Sequence, residues 1–137
     1  MKERGVLHPH LSRVLAETGH TDSLGVCDAG LPIPDGPERI DLGYAPGQAP
    51  LLSVLDAVLS ELRVEAYVLA EESRSHAPWL VDALAERLPD AEVRWVSHEE
   101  LKAASHAARG VVRTGEFRPF ANVLLVSGVD FDAAAVE

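Results

Sequence analysis

Leu51-Leu52-Ser53-Val54-Leu55-Asp56-Ala57-Val58-Leu59-Ser60-Glu61-Leu62-Arg63 runs directly into Val64-Glu65-Ala66-Tyr67-Val68-Leu69-Ala70. In the first part Leu51, Leu52, Leu55, Val58, Leu59 and Leu62 recur with helical period, which predicts a helix over 51–63 with one apolar face. The second part is rich in β-branched and aromatic residues and closes on Glu71-Glu72, which predicts a strand over 64–70. A helix that hands over to a strand in this way is the repeating unit of a layered α/β fold.

The same alternation extends in both directions. Upstream, Pro9 and the i, i+3, i+4 set Leu11, Val14 and Leu15 predict a helix over 8–18, with Gly19 expected as its left-handed C′ residue. A buried strand over 23–27 follows. Then comes a stiff loop over 31–37 carrying three prolines, and a brief extended piece over 39–42. Downstream, Trp79, Leu80, Ala83, Leu84 and Leu88 predict a helix from about 77 to Pro89, and Glu92-Val93-Arg94-Trp95-Val96 alternates as a half-exposed strand does. Ser97 and Glu100 form a capping-box pattern that opens a helix over 98–107. Strands are expected over 110–114 and 122–126, too close for a helical crossover and so expected to pair antiparallel. The prediction is a three-layer α/β/α fold with a mixed, partly parallel central sheet, in one domain over 1–131 with a flexible tail over 132–137.

Bulk properties narrow the function. The chain has 137 residues and 47% hydrophobic content, enough for one core. Its net charge is −10 and its basic residues are scattered, which argues against a nucleic-acid partner. The single cysteine, Cys27, excludes an internal disulfide and a CxxC metal pattern. No run of about eighteen apolar residues suggests a membrane span, so a cytoplasmic location is expected. GxGxxG, Gly-Lys-Ser/Thr and G-x-S-x-G are all missing, which removes support for nucleotide binding and for a serine hydrolase. Among the six histidines no pair has the i, i+4 spacing that places two imidazoles on one ion, and no metal site is expected.

General acid/base chemistry fits better. His20 precedes Thr21-Asp22, so a carboxylate two residues away is placed to orient the ring. The local pattern leaves His20 open between a base and a surface histidine in a turn, and leaves Asp28 open between a ligand and a turn cap. His98 and Lys102 lie four apart on one helical face, as a site pair or as a solvated face.

Taken in order, the motifs His20-Thr21-Asp22, Asp28-Ala29-Gly30-Leu31-Pro32-Ile33-Pro34, Arg39-Ile40-Asp41, Val64-Glu65-Ala66 and Ser97-His98-Glu99-Glu100 resemble the ribose pyranase and L-fucose mutarotase family. Arg113-Thr114-Gly115-Glu116-Phe117 with Pro119 and Ala121-Asn122 completes the pattern, which spans residues 5–131. The resemblance implies a cofactor-free isomerase that interconverts pyranose and furanose forms of a monosaccharide, D-ribose first among them. A non-catalytic, altered-specificity or fucose-type member is the alternative. It implies His20 as the catalytic residue, and the spacing adds Asp22 or a nearby carboxylate as the group expected to orient it. It also implies Asp28, His98, Lys102, Phe120, Ala121 and Asn122 as substrate-binding positions. Finally, it implies a homodecamer of two pentameric rings, with the site crossing a subunit boundary. One departure stands out: Phe120 occupies a position where the family usually has tyrosine.

Overall fold

The computed structural model describes residues 1–131, and the expected tail over 132–137 lies outside the described residues. Six strands, β1 (Ser23–Cys27), β2 (Glu38–Asp41), β3 (Val64–Ala70), β4 (Glu92–Val96), β5 (Gly110–Arg113) and β6 (Val123–Ser127), form one sheet in the order β2-β5-β1-β6-β3-β4. β2, β5 and β1 pair parallel, as do β3 and β4, while β6 runs antiparallel to both β1 and β3. The sheet is therefore mixed, and a single reversed strand joins its two parallel halves.

The period-2 alternation of each strand sends its side chains to two different layers. Leu24 and Val26 of β1, Tyr67 and Leu69 of β3, Val112 of β5 and Val123 and Leu125 of β6 face one way. They pack against α1 (Pro9–Glu17), α2 (Leu51–Leu59) and α4 (Pro78–Arg87), through residues such as Leu11, Leu55 and Leu84. Each fully buried leucine here contributes about 1.5–3 kcal/mol. The opposite face carries Cys27, Val111, Ala70 and Leu124, covered by Leu101 of α5 (His98–Ala104) and by Leu31 and Ala108. That cover is thin because α5 is short. At the middle of β1, Gly25 lets Val111 and Leu124 close over the strand: a Cβ there would lie 3.2 Å from Val111 Cγ1 and 3.3 Å from Leu124 Cδ2.

Five expectations need correction. β5 and β6 do not pair with each other: β1 lies between them, parallel to β5 and antiparallel to β6. Residues 115–121, expected as the turn between β5 and β6, instead cross over the end of β1, a segment tied to it by Thr114 N to Cys27 O at 3.0 Å and Ala29 N to Glu116 O at 2.8 Å. Gly19 is not left-handed. Thr18 closes α1 instead, donating Oγ1–H to Val14 O at 2.7 Å, and the positive φ falls on Thr21 at 70°. The second helix ends at Leu59, four residues early, yet Leu62 stays buried in the same core. The 98–107 helix tightens after Ala104 into a 3₁₀ turn over Ser105–Ala107.

A short helix, α3 (Ser73–His76), has no counterpart in the sequence reading. Four residues are too few to show a period.

Candidate functional site

The parallel strands β1, β3, β4 and β5 end on the same side of the sheet where β6 begins, so the segments that follow or precede them converge. Crevices at the carboxyl ends of strands are where open α/β sheets place ligands. A cleft of about 590 Å³ opens there, walled by Asp28, His98, Arg113, Glu116, Phe120 and Asn122 among others.

Asp28 is the first residue after β1 and is only 8% exposed. Its Oδ1 accepts from Gly30 N at 3.0 Å, its Oδ2 from Ala121 N at 3.3 Å, and its own N–H donates to Asn122 Oδ1 at 3.0 Å. Burial pushes its carboxyl above the ordinary range, opposed by the N–H groups of Gly30, Ala121 and Leu31 and by the Asn122 amide. Asp28, Ala121 and Asn122, which the resemblance implied as separate binding positions, are thus one hydrogen-bonded unit.

Phe120 enters the unit with φ 56°, in the left-handed region. His98, first residue of α5, meets its ring edge-on, with centroids 5.0 Å apart and an interplanar angle of 74°. His76 stacks on Phe120 at 4.7 Å and 28°. Nδ1 of His98 is buried without a hydrogen-bond partner among the described residues, which leaves Nε2 as the polar atom the ring can offer a ligand.

The cations of the cleft wall are already paired. Arg118 grips Glu116 with two parallel bonds of 2.9 Å while its guanidinium lies 3.4 Å from the Trp79 ring centre. That grip, rather than burial, dominates at Glu116 and holds its carboxyl below the usual range. Arg113 donates Nε–H to Asp41 Oδ1 at 2.8 Å and lowers that carboxyl in the same way. Lys102 pairs with Glu99 at 2.8 Å, one turn back along α5, and does not line the cleft.

His20 stands elsewhere. It precedes β1, at the end of the sheet opposite to Asp28, and Thr21 N–H beside it donates to Ser127 O at the far end of β6. Its Nε2 is 3.2 Å from Glu65 Oε2, and its side chain is about half exposed, at the edge of a second cleft of about 710 Å³. Asp22 does not orient it. The chain turns at Thr21, and the Asp22 carboxylate accepts Gly19 N–H at 2.8 Å and pairs with Arg109 Nε at 3.3 Å. The carboxylate beside the histidine is Glu65, which is 45 residues away and gave no local signal.

No group of three or more His, Cys, Asp or Glu able to hold a metal ion occurs among the described residues. No described helix is long and apolar enough to cross a membrane.

The fold and the cleft define a class: an α/β protein with a mixed six-stranded sheet and an open cleft at the carboxyl ends of its parallel strands. The chain belongs to the RbsD / FucU transport protein family, whose model matches residues 1–130. It is 47% identical over 133 residues to the D-ribose pyranase of Geobacillus kaustophilus, covering 97% of this chain and 98% of that one. It is 52% identical over 134 residues to D-ribose pyranase 2 of Streptomyces griseus, covering 96% and 100%. Among solved structures, Bacillus subtilis RbsD complexed with D-ribose superposes with a TM-score of 0.91 at 39% identity, covering 96% of this chain and all of that one. The fucose mutarotase of Streptococcus pneumoniae, at 22% identity, 90% and 94% coverage and TM-score 0.73, shares the fold.

Proposed function

We propose that this protein is a D-ribose pyranase, an isomerase that interconverts the pyranose and furanose forms of D-ribose, and its anomers, by opening and closing the ring. Near-full-length identity to proteins of that activity supports the reading. The observation that carries it is the Asp28–Ala121–Asn122 unit, a buried acceptor set held against His98 and Phe120. Such a set suits a neutral polyol: Asp28 accepts sugar hydroxyls, Asn122 and His98 offer donors, and Phe120 forms the apolar wall. Arg113 and Arg118 are each committed to a carboxylate, which favours a neutral sugar over a phosphorylated one.

Ring opening removes a proton from the anomeric hydroxyl and delivers one to the ring oxygen; closure by a different hydroxyl reverses the roles. This is proton transfer alone, which side chains supply without a cofactor. In this reading His20 is the acid/base, steadied by Glu65. A proton moves between heavy atoms about 2.6–3.2 Å apart, or through one bridging water. His20 and Asp28 lie beyond opposite ends of β1, whose five residues alone span about 13 Å. The cleft is therefore completed by His20 of a neighbouring subunit. That requirement favours a head-to-tail ring, with the decamer of two stacked pentamers as its full form. Residues 1–131 act as one domain, and the assembly works in the cytoplasm, which cell fractionation tests. Lys102, turned toward Glu99, has at most an indirect part.

The second reading is a member with altered preference or without turnover, and Phe120 is the observation that favours it. A missing phenol leaves a sugar hydroxyl unpaired or water-bridged, at about 1 kcal/mol. Saturation-transfer NMR on D-ribose, with L-fucose alongside, tests both. Catalysed pyranose–furanose exchange that His20→Ala abolishes supports the proposal. Exchange at the spontaneous rate with ribose still bound establishes the second reading, and undiminished exchange in His20→Ala overturns the role given to His20.

A further inference from the structure

Phe120 and His98 come from distant parts of the chain, and both are held by one short stretch, residues 72–76. Glu72, two residues beyond β3 and directly before α3, places both carboxylate oxygens on the backbone N–H of His98, at 3.1 and 3.2 Å. Ser73, fully buried, donates its hydroxyl to the carbonyl of Phe120 at 2.8 Å. His76 lays its ring on that of Phe120. The helical turn makes this possible, because positions three and four apart share a face, and Glu72, Ser73 and His76 have that spacing.

Phe120 needs such support. A residue with a side chain keeps a left-handed φ only where its surroundings fix it, and the next two residues carry the bonds to Asp28. Movement of Phe120 therefore reaches Ala121, Asn122 and the buried carboxylate at once. His76 is itself exposed and contributes nothing to the core, so its contact with Phe120 is the evident use of the side chain.

We infer that residues 72–76 are the positioning element of the cleft: Glu72 sets His98, Ser73 sets the Phe120 backbone, and His76 sets the plane of the Phe120 ring against the sugar. The inference deepens the sugar-site reading and rests on it. His76 touches Phe120 and not the reacting atoms, so it is a positioning residue. Its loss weakens substrate and transition state alike and appears in KM rather than kcat.

The test uses the full chain labelled with 4-fluorophenylalanine, which gives three fluorine signals, from Phe117, Phe120 and Phe131. The Phe120 signal is assigned by its disappearance in Phe120→Tyr. His76→Ala should shift the Phe120 signal and leave the other two in place. It should also raise the ribose KM about two- to tenfold, the range of an aromatic pair, with kcat within about twofold. His76→Phe, which restores a flat ring and adds a fourth fluorine signal of its own, should return the Phe120 signal and the KM toward their wild-type values, and Ser73→Ala should reproduce the shift by releasing the Phe120 carbonyl. An unmoved Phe120 signal in His76→Ala overturns the positioning role. A moved signal with unchanged KM, or a KM that His76→Phe does not recover, overturns its connection to the sugar. Wild-type protein that leaves ribose exchange at the spontaneous rate sinks the sugar-site reading, and the fluorine shift still decides whether His76 sets the ring.

Discussion

Two inactive variants should restore each other. Asp28 follows β1 and His20 precedes it, so one subunit cannot bring both to a single sugar. If His20 is the acid/base of a neighbouring subunit's cleft, as proposed, His20→Ala should lower exchange by about 10²–10⁴-fold. Asp28→Ala empties the subunit's own cleft of its buried acceptor and frees the N–H groups of Gly30 and Ala121, with comparable loss. In a head-to-tail ring assembled from equal amounts of the two, each cleft draws one residue from each of two neighbours. Both are intact in about one quarter of the contacts, so activity should return to about one quarter of wild type. The variants are co-expressed with different tags, mixed rings are purified through both tags in turn, and exchange is read by saturation-transfer NMR. Mixed assemblies that form normally yet stay as inactive as the separate variants would refute a site shared between subunits, and with it the role given to His20.

Four further outcomes follow from single contacts. Phe120→Tyr should raise ribose exchange up to about fivefold, as a regained hydrogen bond of about 1 kcal/mol allows, in the same NMR assay. Glu116→Gln should lower thermal stability at neutral pH, because the Arg118 fork stabilises the ionised form. The wild-type carboxyl is depressed, so its contribution is present above the ordinary glutamate range and lost as pH falls through the folded value. The difference in Tm between the two proteins should therefore shrink on acidification below about pH 4. Cys27, buried and with its thiol pushed up to about 12, should resist iodoacetamide at about pH 8 in the native protein and react on denaturation, as mass spectrometry would show. Gly115→Ala should cost about 1–3 kcal/mol in denaturant unfolding, since a Cβ there overlaps the Gln48 backbone beneath the cleft loop.

The sequence was most legible where a single element carries its own period. The strands over 64–70 and 92–96 have the bounds that their composition predicts, and Ser97 caps α5 by accepting Glu100 N–H at 3.1 Å. It was least legible where the outcome depends on a partner far along the chain. That β1 inserts between β5 and β6 is decided by which strand fills the gap, and a short spacing between two strands does not report it. The site divides the same way. Asp28, His98, Phe120 and Asn122 come together in the cleft, with Ala121 buried behind Asp28, but local spacing leaves Asp28 and His98 open between site and ordinary roles, and only the order of motifs along the whole chain singles them out. Glu72, Ser73 and His76 carry no local signal because each acts through a residue at least 26 positions away, and Glu65, although part of a motif of the resemblance, carries no local sign of its pairing with His20. Asp22 shows the opposite error: nearness in sequence to His20 did not survive the turn at Thr21.

β1 and β6 lie side by side through the middle of the sheet, with Asp28 and Asn122 at one end of the ladder and His20 and Ser127 at the other. The pair serves as a gauge block between the cleft and His20. Its length changes only in whole-residue steps of about 3.3 Å, and an insertion within a strand turns every side chain beyond it to the other face. The loops at either end are free to vary gradually in length. The distance that any surrounding assembly must match is not, so the dimension that tunes most slowly in this molecule is set by five residues at its centre.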